Sequence, residues 1–294
     1  RNVYAKNPWY AQNGDGIDVE SCKNVLIEGS TFDVGDDGIC IKSGRDEAGR
    51  KRGMPTENLI CRNNVVYHAH GGFVIGSEMS GGARNLYVDN NTFIGTDIGL
   101  RFKTTRGRGG VVENIFVNNT YMKDIVGEAI LFDMYYAAQD PVPLAGEKRE
   151  PPKVQTLPVT EATPQFRNFY IKNVVCNGAE KAIFVRGLPE MNIKNIFLEN
   201  LIIQSKKGLD MTEGTNIVLN NVQLITKEVN PVMNIHNSKN ITINKVQYDT
   251  ADVLLNVSGE KSSGITIAGT NTAKAKKDVE VEFGAKESAV KVVK

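Results

Sequence analysis

Three aspartates early in the chain have the types and spacing to do chemistry. Asp15 lies in Asn13-Gly14-Asp15-Gly16, and Asp36 and Asp37 lie in Gly35-Asp36-Asp37-Gly38. The pair follows Asp15 by 21 and 22 residues, close to the period with which the rest of the chain repeats. Residues one repeat apart are stacked neighbours in a solenoid. The spacing therefore predicts three acids side by side on one surface. Carboxylates paired at short range serve acid/base hydrolysis of a glycosidic bond. Adjacent strand residues face opposite sides, so Asp36 and Asp37 share a cleft only if the backbone turns there, which Gly35 and Gly38 permit. Repulsion among the three is expected to raise at least one pKa, leaving a protonated acid beside ionised bases.

Two further motifs belong with the acids. Arg101 and Lys103 flank Phe102, so on a strand the two cations share one face and the ring points inward. Arg holds a carboxylate bidentately and Lys adds a point charge, which suits an anionic sugar. The run His68-Ala69-His70-Gly71-Gly72 holds two of the three histidines. The glycines after His70 allow close approach of ligand, and of the two histidines His70 is the functional candidate.

The elements that position these groups follow from a recurring Asn before a short alternating apolar run. It appears at Asn24, Asn58, Asn85, Asn114, Asn168, Asn195, Asn216 and Asn240. Alternation of period two, β-branched residues and Gly/Asn punctuation mark strands, and no sustained helical period is present. Coils of roughly 22–25 residues, each of three short strands, predict an all-β right-handed parallel β-helix. The repeat runs almost throughout, so residues 1–294 are expected to form one domain, with 272–294 a capping strand and frayed tail. The chain opens inside a strand-like segment, Arg1-Asn2-Val3-Tyr4, which reads as a fragment lacking upstream coils and any targeting signal.

Net charge is +1, so global charge argues for neither nucleic acid nor membrane as partner. Cys22, Cys40, Cys61 and Cys176 are irregularly spaced and read as stacked buried thiols rather than disulfides or a metal site. No metal and no cofactor is expected, and a monomer is expected.

Taken in order, Asn-Gly-Asp, Gly-Asp-Asp, His-Gly and Arg-Phe-Lys resemble the four signature motifs of polygalacturonases, glycoside hydrolase family 28, over roughly residues 1–136. The usual family pattern is Asn-Thr-Asp, Asp-Asp, His-Gly and Arg-Ile-Lys, so Gly14 and Phe102 are departures. The resemblance implies cleavage of α-1,4-galacturonosyl linkages with inversion. By it, Asp36 is the general acid, Asp15 and Asp37 hold and activate water, and His70 tunes the acid. Arg101, Lys103, Tyr136 and Asn13 contact substrate, with Arg101 and Lys103 on a galacturonate carboxylate. Aligning Ile75-Gly76-Ser77 with the family's usual Ile-Gly-Ser places His70 one residue early, which implies a longer loop or an altered histidine role.

Two insertions break the period. Gly44–Pro55 is basic and resembles a loop of bacterial exo-acting members; it is expected to wall one end of the cleft, with Arg106 and Arg108 adding positive surface. Ala137–Pro164 holds six of the ten prolines. The competing readings are a rhamnogalacturonan hydrolase of the same family, a calcium-dependent pectate lyase using the acids as metal ligands, and a non-catalytic carbohydrate binder. An extracellular polymer as substrate implies secretion or a periplasm.

Overall fold

A computed structural model describes residues 1–137 and 153–293, and it is built almost entirely of parallel strands in two sheets. The sheet that concerns function has ten strands, beginning Ile17–Glu20, Asp37–Lys42, Gly71–Ile75, Ile98–Lys103 and Glu128–Asp133, each paired in parallel with the next. It continues through Lys181–Arg186, Lys207–Thr212, Met233–His236 and Ala251–Ser258 to Ala275–Glu282. One row of this sheet, Ile39, Phe73, Leu100, Ile130, Ile183, Leu209, Met233 and Leu255, is in register and buried. That row faces the core, so the alternate residues, Arg101 and Lys103 among them, face outward, while the turns before the first strands carry Asp15, Asp36 and His70.

The other two legs of each coil form the second sheet. In the early coils they are separate strands, such as Lys23–Glu28 and Thr31–Asp33. Later they merge into 13-residue strands, Val111–Lys123, Gln165–Asn177, Ile193–Ser205 and Gly214–Thr226. Asn119, Asn173, Asn200 and Asn221, all at positive φ, bend these long strands midway. Asn tolerates the left-handed region better than other side chains.

The Asn row read from the sequence is a continuous ladder. The side chain of Asn58 donates to Asn24 at 3.3 Å, and the pattern continues through Asn85, Asn114, Asn168, Asn195, Asn216 and Asn240 at 2.9–3.4 Å. All eight residues have φ between 54° and 59°. Each net bond is worth about 0.5–1.5 kcal/mol, repeated once per coil. Inside, Phe102, Phe132 and Phe169 pack with centroids 4.7–4.9 Å apart.

Three expectations change. The basic insertion carries an α-helix, Asp46–Arg52, ended by Gly53 at φ 60°; seven residues are too few to show a helical period. The tail is two paired strands, Ala275–Glu282 and Val290–Val293, which extend both sheets and are not a frayed end. Cys22 is exposed, while Cys40, Cys61 and Cys176 are buried free thiols. Burial pushes Cys61 and Cys176 up to about 12. Most of the proline-rich insertion, residues 138–152, lies outside the described residues. No helix among the described residues is long and apolar enough to cross a membrane.

Candidate active site

The two acid-bearing turns are stitched to each other through their backbones. Gly16 N–H donates to the Asp37 carbonyl at 2.9 Å, and Asp36 N–H donates to the Gly14 carbonyl at 3.2 Å. The Asn7 amide clamps both turns, donating to the Gly14 carbonyl at 2.8 Å and accepting from Gly35 N–H at 2.6 Å. Gly35 is required here, because a Cβ would lie 2.5 Å from the Pro8 carbonyl oxygen and 2.6 Å from that of Trp9. Asp36 sits in the bend and Asp37 opens the strand, so the turn resolves the opposite-face problem of adjacent residues.

Asp37 is 2% exposed and held from two sides. Lys103 Nζ lies 2.7 Å from Oδ2 and Arg101 Nη1 lies 3.0 Å from Oδ1. Both cations come from the strand two coils on, two residues apart, with Phe102 buried between them. The Tyr136 ring covers the pair, its centroid 4.8 Å from Lys103 Nζ and 5.9 Å from the Arg101 guanidinium carbon. Arg101 Nε is buried without a hydrogen-bond partner. Such a donor costs about 1–3 kcal/mol if left unmade.

Asp36 is more open. Its Oδ1 accepts from Asp37 N–H at 2.9 Å and lies 3.0 Å from His70 Nδ1. On the other side of the ring, His70 Nε2 lies 4.0 Å from Asp97 Oδ2, and Trp9 meets the imidazole edge-on, centroids 5.4 Å apart. His70 thus reaches the acid pair from its position directly before the Gly71–Ile75 strand. His68 is turned away and pairs with Asp33 at 3.1 Å.

Asp15 has a different partner from the one expected. Lys42 Nζ bridges Asp15 Oδ2 at 3.0 Å and Asp18 Oδ1 at 2.9 Å. Burial pushes the Asp15 carboxyl up to about 6; Lys42 works against this and Asp18 with it. The main cause of the rise at Asp15 is desolvation rather than repulsion by the Asp36–Asp37 pair. Asp15, Asp18 and Cys40 also bring three ligand-type atoms within 4.8 Å of one another, but the Lys42 ammonium bonds to both of these carboxylates. Asn13 is exposed, at φ 52°.

The arginines expected to form a positive wall are occupied. Arg106 forms a bidentate pair with Glu190 at 2.7 and 2.9 Å. Arg108 bonds to Asp46, to Glu78 and to the Ser77 carbonyl. Arg50 donates to the Gly107 carbonyl, and Arg52 to Glu20 and Ser21. These bonds fix the Asp46–Arg52 helix across the ends of the first four site strands instead of presenting free cations. Asn7, Trp9, Lys42 and Asp97 were missed in the sequence because nothing local marks them. Only the stacked coils bring them to the acids.

Comparisons with known proteins identify the family. The Glycosyl hydrolases family 28 profile matches residues 1–160. An exo-poly-alpha-D-galacturonosidase of Dickeya chrysanthemi is 27% identical over 72% of this chain and 35% of its own length. A probable polygalacturonase of Vitis vinifera is 30% identical over 67% of this chain and 37% of its own. The chain thus spans about a third of the length of these relatives. Among solved structures, a hyperthermoactive exopolygalacturonase of Thermotoga maritima superposes with TM-score 0.63 and 36% identity, over 72% of this chain and 44% of that one. A family 28 exopolygalacturonase of Yersinia enterocolitica, at 22% identity and TM-score 0.53, shares the fold over 93% of this chain and 40% of that one. The parallel coils are right-handed, as nearly all parallel crossovers are. With its family profile covering more than half the residues, the chain belongs to glycosyl hydrolases family 28.

Proposed function

We propose that the protein hydrolyses α-1,4-galacturonosyl linkages of pectin with inversion, acting from chain ends. One observation carries the reading. Asp15, Asp36 and His70 lie in the turns just before three adjacent strands of one sheet, Asp37 opens the second of those strands, and Arg101 and Lys103 reach Asp37 from the fourth. Acids beside fixed cations suit a substrate that itself carries carboxylates.

In this reading a water attacks the anomeric carbon as the glycosidic C–O bond breaks. Asp36 gives its proton to the leaving oxygen, Asp15 takes the proton of the water, and Asp37 orients that water. A carboxylate pushed up to about 6 is a stronger base than an ordinary one, which suits Asp15 to its task. His70 holds Asp36 in place. The orphaned Arg101 Nε and the Tyr136 ring over both cations fit a galacturonate carboxylate and its ring. Asn13 supplies a polar contact at the rim. The exo mode draws support from the exo-acting relatives and from the helix fixed across the strand ends, which suits a wall closing the cleft. Because the polymer lies outside cells, the protein acts after secretion or in a periplasm.

A calcium-dependent lyase is disfavoured by the donor set: Asp15 is already paired with Lys42, and Asp37 with Arg101 and Lys103. The test is a product assay on polygalacturonic acid, with and without a chelator, for wild type and Asp36→Asn. Reducing ends should form without ultraviolet-absorbing product, survive chelation, vanish in the variant and leave mono- or dimers from the start. Early mid-sized oligomers would refute the exo mode. Chelator-sensitive unsaturated products, or turnover only on rhamnogalacturonan, would refute the substrate and reaction.

A further inference from the structure

The segment Pro8-Trp9-Tyr10 plays no part in the chemistry above, yet it is fixed against it. The backbone is fixed at three points: Ala11 N–H closes a turn on the Pro8 carbonyl at 2.9 Å, the Asn7 amide holds both acid turns, and the Pro8 and Trp9 carbonyls rest over Gly35. The rings do not share this burial. Trp9 is 49% exposed and Tyr10 86%. Standing 5.4 Å from His70, the half-exposed indole offers an apolar face beside the acids on which a ligand can pack. Trp presents an apolar face and one N–H donor, and its rigidity keeps the ordering cost low.

The two acids divide the site by contact. Asp37 is bound to Arg101 and Lys103 under Tyr136, whereas Asp36 is bound to His70, against which Trp9 stands at 5.4 Å. A glycosidic bond at the acids has one sugar on each side. The Asp37 side offers cations and a tyrosine ring; the Asp36 side offers an indole. A pyranose carries a face of C–H groups that packs on such a ring. We propose that Trp9, with Tyr10 beside it, is the stacking platform for the galacturonosyl ring on the Asp36–His70 side of the scissile bond. This rests on the galacturonan reading above.

Trp9 is the only tryptophan in the chain, so it reports on its own occupancy. Trigalacturonate titrated into the Asp36→Asn variant should change tryptophan fluorescence saturably, and maltotriose should not. In the active background, Trp9→Ala should raise KM about tenfold, a loss of about 1.4 kcal/mol, and Trp9→Phe by less. In both, kcat should stay within about threefold and the pH profile should be unchanged. Thermal unfolding by circular dichroism shows that both variants are folded. A silent fluorescence signal while calorimetry detects trigalacturonate binding, or a wild-type KM in Trp9→Ala, overturns the platform. A shifted pH profile at unchanged KM also overturns it, because Trp9 would then act through His70. Normal hydrolysis of polygalacturonate alongside any of these results leaves the functional reading standing. Absence of both hydrolysis and binding sinks that reading and the platform together.

Discussion

The substitution Asp15→Asn should make the protein more stable and catalytically idle, with a pH dependence that identifies the cause. The Asp15 carboxyl rises from 3.8 to about 6 because of burial, and its side chain is only 12% exposed. A rise of that size corresponds to about 3 kcal/mol against the ionised folded form. Asp18 shares Lys42 with it, so part of that figure belongs to the pair. Removing one carboxylate is then expected to return about 1–3 kcal/mol. The sign follows from proton counts. Between about pH 4 and 6 the folded chain holds a proton on Asp15 that the unfolded chain has lost, so this group lowers stability as pH rises through the window. Below that window both states are protonated and the penalty vanishes. The substituted amide oxygen still accepts the Lys42 hydrogen bond without carrying the charge. Urea unfolding followed by circular dichroism at pH 3.5, 5, 6 and 8 should show the stability difference growing from near zero to a plateau above pH 6. Hydrolysis should fall at least about a hundredfold in the same variant. A variant less stable than wild type at pH 8, or a difference independent of pH, would refute the assignment of a desolvated carboxylate at this position.

Three other outcomes follow from the geometry. Lys103→Met leaves Asp37, 2% exposed, with Arg101 as its one cation among the described residues, and should cost about 3–5 kcal/mol in urea unfolding. Gly35→Ala drives a methyl to 2.5–2.6 Å from the Pro8 and Trp9 carbonyl oxygens; it should cost about 1–3 kcal/mol and lower kcat by moving both acid turns. Asn195→Ala, at φ 58° and bonded to Asn168 and Asn216, should cost about 2–3 kcal/mol from left-handed strain plus two ladder bonds, with the site's KM unchanged. A neutral result in the last case would mean that the ladder decorates the solenoid without stabilising it.

Much of the architecture was legible because a solenoid converts sequence spacing into spatial neighbourhood. An Asn once per coil could be read as a repeat, and the structure turns that row into a ladder because Asn both tolerates positive φ and carries a donor and an acceptor. The spacing from Asp15 to Asp36 and Asp37 matched the coil length, so their juxtaposition was readable without any contact being known. Likewise Arg101-Phe102-Lys103 stated which two side chains share a face. The short Asp46–Arg52 helix was hidden, since its acidic first turn, basic last turn and Gly53 occupy too few residues to display a period.

Side-chain partnership was decided only by the tertiary structure. The basic run Arg45–Arg52 and the arginines at 106 and 108 read as a free positive surface, yet most are tied to Glu20, Asp46, Glu78, Glu190 and backbone carbonyls. Lys42 on Asp15 and Asp18, Asp97 beyond His70, Asn7 between two turns and Trp9 against the imidazole follow the same rule. By itself the sequence determined the period, the sheet face and the residue types on it, because backbone hydrogen bonding and burial repeat from coil to coil. Which charge meets which, and which carboxyl is desolvated, depends on long side chains and irregular turns that obey no period, and those were decided only when the coils stacked.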